Sequence, residues 1–179
     1  MMTRQRGVNL LELMIVVTIL GIVAVVAVPT LLSGDGKKLE VAADVVAEAI
    51  RFARAESIRT GIPQGIDVTS DSDRIRLYSK PSFFPTYNVY NPVDKKLYDI
   101  QFDNESPMTG VDLVSVNFQF AGGFTSPNLL GFNTDGVPKY TAGFPERDYM
   151  LATGTITLEY NGRNKVISIA PMTGRVTVQ

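Results

Sequence analysis

The chain has 179 residues, room for one domain with an appendage rather than two independent domains. Its 17 Lys+Arg against 18 Asp+Glu give a formal net charge of −1, without the overall bias of a nucleic-acid binder, although a local basic patch remains compatible with that balance. Cys, His and Trp are all missing, which excludes disulfides, thiol chemistry, thiolate or imidazole metal sites and the commonest general base. Only carboxylate, Lys, Ser or Tyr chemistry is left, and no spacing in the chain assembles such a site, so neither an enzyme nor a cofactor is expected.

The first element is an uncharged run of twenty residues from Leu13 to Leu32, preceded by a short polar leader with Arg4 and Arg6. As a helix the run spans about 30 Å, the thickness of a bilayer core. A cleaved secretory signal fits poorly, because the apolar core is too long and no small-x-small site follows it. A plain single-pass anchor is the simplest alternative. Glu12, at the edge of the run, costs a few kcal/mol in a bilayer unless paired, neutralised or held at headgroup level, so it calls for a partner. Pro29 removes one helical hydrogen bond and crowds the preceding turn. With Gly21 upstream it marks either a bend in the helix or the helix end at the membrane surface.

The stretch Arg6-Gly7-Val8-Asn9-Leu10-Leu11-Glu12-Leu13 resembles the class III leader junction of type IV pilins and pseudopilins. In that family a dedicated peptidase cuts after the glycine and methylates the new N-terminus. The resemblance implies cleavage between Gly7 and Val8, N-methylation of Val8, Glu12 as the fifth mature residue and Pro29 as the twenty-second. It departs from the family at Val8, usually Phe or Met, and at Asn9, commonly Thr. Glu12 would pair with the α-amine of a neighbouring subunit in the filament, a contact that sets register more than it adds stability. Loss of Arg4 and Arg6 would take the formal net charge from −1 to −3. Positive-inside reasoning does not orient the chain, since Lys37 and Lys38 on one flank balance Arg4 and Arg6 on the other. A bacterial inner-membrane, single-pass location with a periplasmic C-terminal domain is therefore what the resemblance implies.

Ser33-Gly34-Asp35-Gly36 reads as a hinge with Asp35 as N-cap, followed by a helix from Lys37 to about Arg59 that Gly61 and Pro63 stop. Glu40, Asp44, Glu48, Arg51 and Arg54 share one face, and the apolar arc covers about half the circumference. Either that whole arc sinks into the chain's own sheet or part of it faces neighbouring subunits.

Beyond Pro63 the periodicity turns to two, predicting strands at 65–69, 74–79, 113–120, 129–133, 155–160, 165–170 and 175–178. Asn161-Gly162 is a two-residue hairpin signal that sets Ile156 opposite Ile167. The expected fold is α+β: a long N-terminal hydrophobic helix, membrane-spanning then amphipathic, packed on an antiparallel β-sheet domain. Its expected divisions are a leader over 1–7, an assembly helix over 8–32, a hinge and amphipathic helix over 33–63 and a β-rich domain over 64–179.

Three stretches, 53–63, 132–138 and 170–176, resemble the H-type minor pseudopilins of type II secretion and the FimT-like minor pilins. Some FimT-like relatives take up DNA through a glycine–arginine motif with a second arginine two residues on; Gly174 and Arg175 match it, but Thr177 replaces the second arginine. Asp67, Asp71 and Asp73 miss the EF-hand spacing, so a hairpin turn is preferred to a metal site. Tyr87, Tyr90 and Tyr98 interleave with Lys95 and Lys96, but Asp94 and Asp99 dilute that charge, favouring a half-buried strand or loop over nucleic-acid stacking. The resemblance implies a structural minor pseudopilin at or near the tip of a periplasmic pseudopilus. Its implied partners are the prepilin peptidase, other pseudopilin or pilin subunits, the inner-membrane assembly platform and membrane lipid, with nucleic acid disfavoured. The alternative is a FimT-like minor pilin serving pilus assembly, adhesion or DNA uptake.

Overall fold

The computed structural model describes residues 10–20, 34–80, 85–126, 128–142 and 147–179. It divides into two compact units, Met1–Asp35 and Gly36–Gln179. In the first unit residues 10–20 form a helix, α1. In the second, helix α2 (Gly34–Thr60) begins at the unit boundary and lies with the strands.

Helix α2 forms because 27 residues rich in Ala, Glu, Arg and Lys contain no interior proline. It opens earlier than the sequence suggests. Gly34, Asp35 and Gly36 are helical rather than a break, so Asp35 lies inside the first turn and is not the N-cap. The helix stops where Gly61 takes a left-handed φ of 65° and its N–H donates to the Ser57 carbonyl at 3.1 Å. Arg59 in the last turn suits the negative helix end and bonds Glu56, Nε to Oε2 at 2.8 Å.

The buried face of α2 is built from Leu39, Ala42, Ala43, Val46, Ala47, Ala49, Ile50 and Ala53, all at most 3% exposed. Five alanines in eight positions let the helix axis approach the sheet closely, while Leu39, Val46 and Ile50 fill the spaces between strands. Val45 and Phe52, on the shoulders, also pack on the core, and Tyr98 stacks on Phe52 at 5.3 Å. Of the predicted apolar arc only Val41 turns to solvent, so the helix is sunk into its own sheet. Arg54, expected on the solvent face, is instead half-buried and hydrogen-bonded.

Ten strands follow: β1 (Gln64–Thr69), β2 (Arg74–Ser79), β3 (Asp99–Gln101), β4 (Asp112–Phe120), β5 (Phe124–Ser126), β6 (Leu129–Phe132), β7 (Pro138–Ala142), β8 (Arg147–Tyr160), β9 (Arg163–Ile169) and β10 (Val176–Val178). All pairings are antiparallel, in the order β10-β9-β8-β7-β6-β1-β2-β3, with β4 on β8 and β5 on β4. The α+β architecture thus agrees with the sequence expectation.

Strand β8 joins the two ends of this strand order. Its first residues pair with β7, and its remainder has β4 on one edge and β9 on the other. Sequence periodicity locates only residues 155–160 of it, because Gly154 interrupts the pattern; there a Cβ would meet Leu151 Cδ2 at 3.0 Å and Ile169 Cβ at 3.3 Å. Strands β3 and β5, three residues each, and β7, which begins at Pro138, escape a period-two search. The predicted hairpin is observed in register: Ile156 faces Ile167, both fully buried, and Asn161 and Gly162 have φ of 50° and 73°. Phe124 stacks on Tyr140 at 5.1 Å and on Tyr149 at 5.0 Å, which ties β5 to the β7–β8 hairpin.

On the opposite face of β1 from its core residues, Tyr78 lies across Gly65, where a Cβ would stand 2.4 Å from the ring. Beside it Asp67 takes hydrogen bonds from Arg76 Nη2 and the Tyr87 hydroxyl, both at 2.8 Å, and the Arg76 guanidinium lies 4.3 Å from the Tyr87 ring centre. The loop after β2 therefore closes over its own sheet.

Because the core is contained in Gly36–Gln179, a fragment starting at Gly36 should be soluble and unfold in one cooperative transition. A scan by circular dichroism checks this, and aggregation without a cooperative melt would mean that the unit boundary is not a folding boundary.

Candidate functional site

Two places carry the functional argument, one in each unit. In the first, α1 is apolar all round: Leu10, Leu11, Leu13, Met14, Ile15, Val16, Val17, Ile19 and Leu20 are each 49–74% exposed. Leu11, Met14, Ile15, Thr18 and Ile19 form one stripe at helical spacing. The one hydroxyl, on Thr18, is turned back to the Met14 carbonyl at 2.7 Å, so the helix shows almost no polar group to its surroundings. Glu12 is the exception, exposed in the first turn and the only charge in α1. Such a helix is stable against lipid or other apolar helices, not against water. Gly7, Val8, Gly21 and Pro29 lie outside the described residues, as does all of the run from 21 to 32. Among the described residues no helix is long and apolar enough to cross a membrane.

In the second unit the three stretches singled out in the sequence meet at one point, the C-terminal end of α2. The fully buried Ser57 hydroxyl donates to the Asn133 carbonyl in a short bond and lies 3.4 Å from the Phe132 carbonyl. Arg54 Nε donates to the Gly136 carbonyl at 3.0 Å. The loop that receives both is shaped by Asn133, whose Oδ1 accepts from the N–H of Asp135 at 3.0 Å and of Val137 at 2.8 Å. The last turn closes over the same arginine: Gly174 has φ 62°, and a Cβ there would meet Arg54 Cδ at 3.0 Å, the Gly136 carbonyl at 3.1 Å and the Phe132 ring at 3.1 Å. These motifs are therefore a structural staple joining helix end, loop and final strand. The sequence displayed the pieces but not their meeting. Arg54 read as a solvent-facing charge, and only Ser57, a hydroxyl among apolar neighbours, hinted at a buried partner.

The staple explains Gly174 without nucleic acid. Arg175 beside it is exposed and borders an open groove with Thr153, Thr155, Ser168 and Thr177, in which it is the single charged residue. One cation supports at most one phosphate contact. The remaining sequence candidates are dispersed. Asp67 is held by Arg76 and Tyr87. Asp73 accepts the Leu113 N–H at 2.6 Å; burial pushes its carboxyl up, against that bond, with further upward pressure from Asp112 and Asp103. Asp71 stands apart in the turn after β1, and among the described residues no group of His, Cys, Asp or Glu is arranged to hold a metal. Of the tyrosines, Tyr87 and Tyr98 are engaged with Arg76 and Phe52, and Tyr90 alone is mostly exposed.

Comparison with known proteins bears on the N-terminal segment and on the fold of the domain. Residues 2–28 match the prokaryotic N-terminal methylation motif. The whole domain resembles the minor pseudopilin EpsH from the type 2 secretion system of Vibrio cholerae in two solved structures, with TM-scores of 0.51 and 0.52 at 13% identity. The match covers 79% of this chain and 96% or 93% of those chains. The chain thus pairs a methylation-motif segment at its N-terminus with a domain that shares the helix-on-sheet fold of those structures. At finer grain, 60 residues are 37% identical to the type II secretion system protein H of Xanthomonas campestris pv. campestris, or 33% of this chain; the match spans about a third (36%) of that relative's length.

The staple makes a quantitative claim. Gly174→Ala should destabilise the protein by roughly 1–2 kcal/mol for the left-handed backbone alone, and Ser57→Ala by about 1 kcal/mol, because the Asn133 carbonyl keeps the Gly136 N–H at 2.9 Å. Arg175→Ala should stay within about 0.5 kcal/mol. Urea melts of the three variants give the comparison, and equal effects at 174 and 175 would remove the structural reading of the glycine.

Proposed function

We propose that this protein is a structural, non-enzymatic minor pseudopilin of a type II secretion system. The observation that carries the reading is the methylation motif over residues 2–28 on a chain whose domain has the minor-pseudopilin fold. Prepilin peptidase cuts after Gly7 and methylates Val8. Residues 8–32 hold the subunit in the bacterial inner membrane with the β-domain in the periplasm, and Gly21 and Pro29 let that segment bend. The inner-membrane assembly platform then draws the chain into a pseudopilus beside the other pseudopilins, at or near its tip.

Glu12 is the recognition element in this scheme. Alone in an apolar helix it is costly, and a neighbour's methylated α-amine is the complementary charge that removes the cost. Because the charges cancel only at one axial offset, the pair selects register. The FimT-like reading has Gly174 in its favour, but that glycine serves the staple, and Arg175 has no cationic companion in its groove.

Mass spectrometry of the protein from membranes should find a methylated N-terminus at Val8; an intact Met1 in cells with active prepilin peptidase would remove the assignment. Glu12→Ala should still be inserted and cleaved, because Gly7 and the apolar run are intact, yet should no longer crosslink to the other subunits or support secretion. Glu12→Asp, with the charge but less reach, should be intermediate. Normal crosslinking and secretion in Glu12→Ala would reduce Glu12 to a residue at headgroup level.

A further inference from the structure

The start of α2 and the tip of the β8–β9 hairpin meet, and their cations gather on one side. A Cβ on Gly36 would stand 3.5 Å from Arg163 Nη1, so the arginine lies across the first turn of the helix. One turn-position further, Lys38 Nζ donates to the Tyr160 hydroxyl at 3.3 Å and lies 5.2 Å from its ring centre. Lys37 and Arg163 are exposed, and Lys165 is half-buried. Tyr160 pairs with Arg163 and Leu158 with Lys165, which puts 160, 163 and 165 on the helix side of the hairpin. Glu159 pairs with Asn164 and with Asp112, so both acids point to the other face. Asp35, in the first turn of α2 beside Gly36, and Glu40, exposed on the next turn, are the acids that the helix itself brings near these cations. Among the described residues none of the four cations is in an ion pair.

We propose that Lys37, Lys38, Arg163 and Lys165, backed by Tyr160, form a pad that docks the β-domain on the acidic phospholipid headgroups of the leaflet from which the chain emerges. Chain length chooses the occupant. Only three residues, Ser33 to Asp35, separate Leu32, the last of the uncharged run, from Gly36, a reach of at most about 14 Å over four Cα–Cα steps. If that run spans the bilayer, as the proposed function requires, this end of the domain cannot leave the headgroup region. Cations and a tyrosine are the side chains that headgroups hold, and the cations respond to anionic lipid by roughly fivefold per charge in a docking equilibrium. The pad keeps an unassembled subunit lying on the membrane; extraction into a filament requires its release.

The chain has no cysteine, so one introduced cysteine gives a unique probe. Full-length protein carrying Asn164→Cys, beside the pad, or Thr134→Cys, in the loop at the far end of α2 about 27 Å along the axis, is labelled with a fluorophore. Each is placed in bilayers containing headgroup-nitroxide lipid, in pure phosphatidylcholine or with phosphatidylglycerol. The label at 164 should be quenched more in the acidic bilayer than in the neutral one, with little change at 134. Lys37→Gln with Arg163→Gln should abolish most of that difference, whereas Arg163→Lys keeps it; circular dichroism checks that the variants stay folded. Quenching at 164 that is equal in the two lipids, or unchanged by the double Gln variant, overturns the pad and leaves the anchor standing. Release of the chain by alkaline carbonate would overturn the membrane anchor, and the pad with it.

Discussion

The fold depends on how closely a helix can approach a twisted sheet. Five alanines on the buried face of α2 shorten that distance, and three large aliphatic residues among them reach between strands. Larger residues at Ala43 or Ala47 would lift the helix and open the core below Ile66, Leu130 and Ile156, which are fully buried. Strand β8, 14 residues long, is long enough to pair with β7 at its start and with β4 and β9 beyond, so one strand ties the order together.

A long helix buried on one face needs its exit settled, because the carbonyls of its last turn have no partners within the helix. Here the Gly61 cap satisfies one, and Ser57 and Arg54 engage the carbonyls of a facing loop. The loop in turn holds its shape through Asn133, and the last turn must carry glycine at 174 because Arg54 occupies the space. Residues far apart in the chain are thus held by one steric and hydrogen-bonding problem. This supplies a physical reason for the glycine that does not involve a ligand.

The elements legible in the sequence are those in which local pattern and tertiary need coincide. Strand β2 and the Asn161-Gly162 hairpin appear where period-two alternation and turn chemistry place them, with Ile156 and Ile167 in register. The uncharged run and its glutamate were equally plain, because charge and its absence need no partner to be read. Less legible was anything decided at a distance. The first part of β8 is a strand because β7 pairs with Arg147–Met150 and β4 with Leu151 to Gly154, not because Arg147–Gly154 alternates. Gly34–Gly36 are helical although two glycines argue for a break. Arg54 is drawn from its polar face by a carbonyl 82 residues away. Composition excluded thiol and imidazole chemistry at once, whereas the staple emerged only when three separate stretches were brought together.

The two units solve opposite problems. In the β-domain, charges find partners close by: Arg74 holds the Asp99 carboxyl below its usual range through a two-pronged contact, with burial opposing it, and Asp67 sits between Arg76 and Tyr87. Helix α1 is the reverse, with apolar side chains on every side and one carboxylate. Lipid satisfies the apolar surface but not Glu12; a neighbour that offers both an apolar helix and a cation satisfies both. Under the proposed function the free energy of assembly is therefore concentrated in the N-terminal helix, where it comes from moving a carboxylate from a poor environment to a matched one. A single glutamate could then serve a set of subunits whose domains differ, because the partner proposed for it is a main-chain amine that each processed subunit would possess.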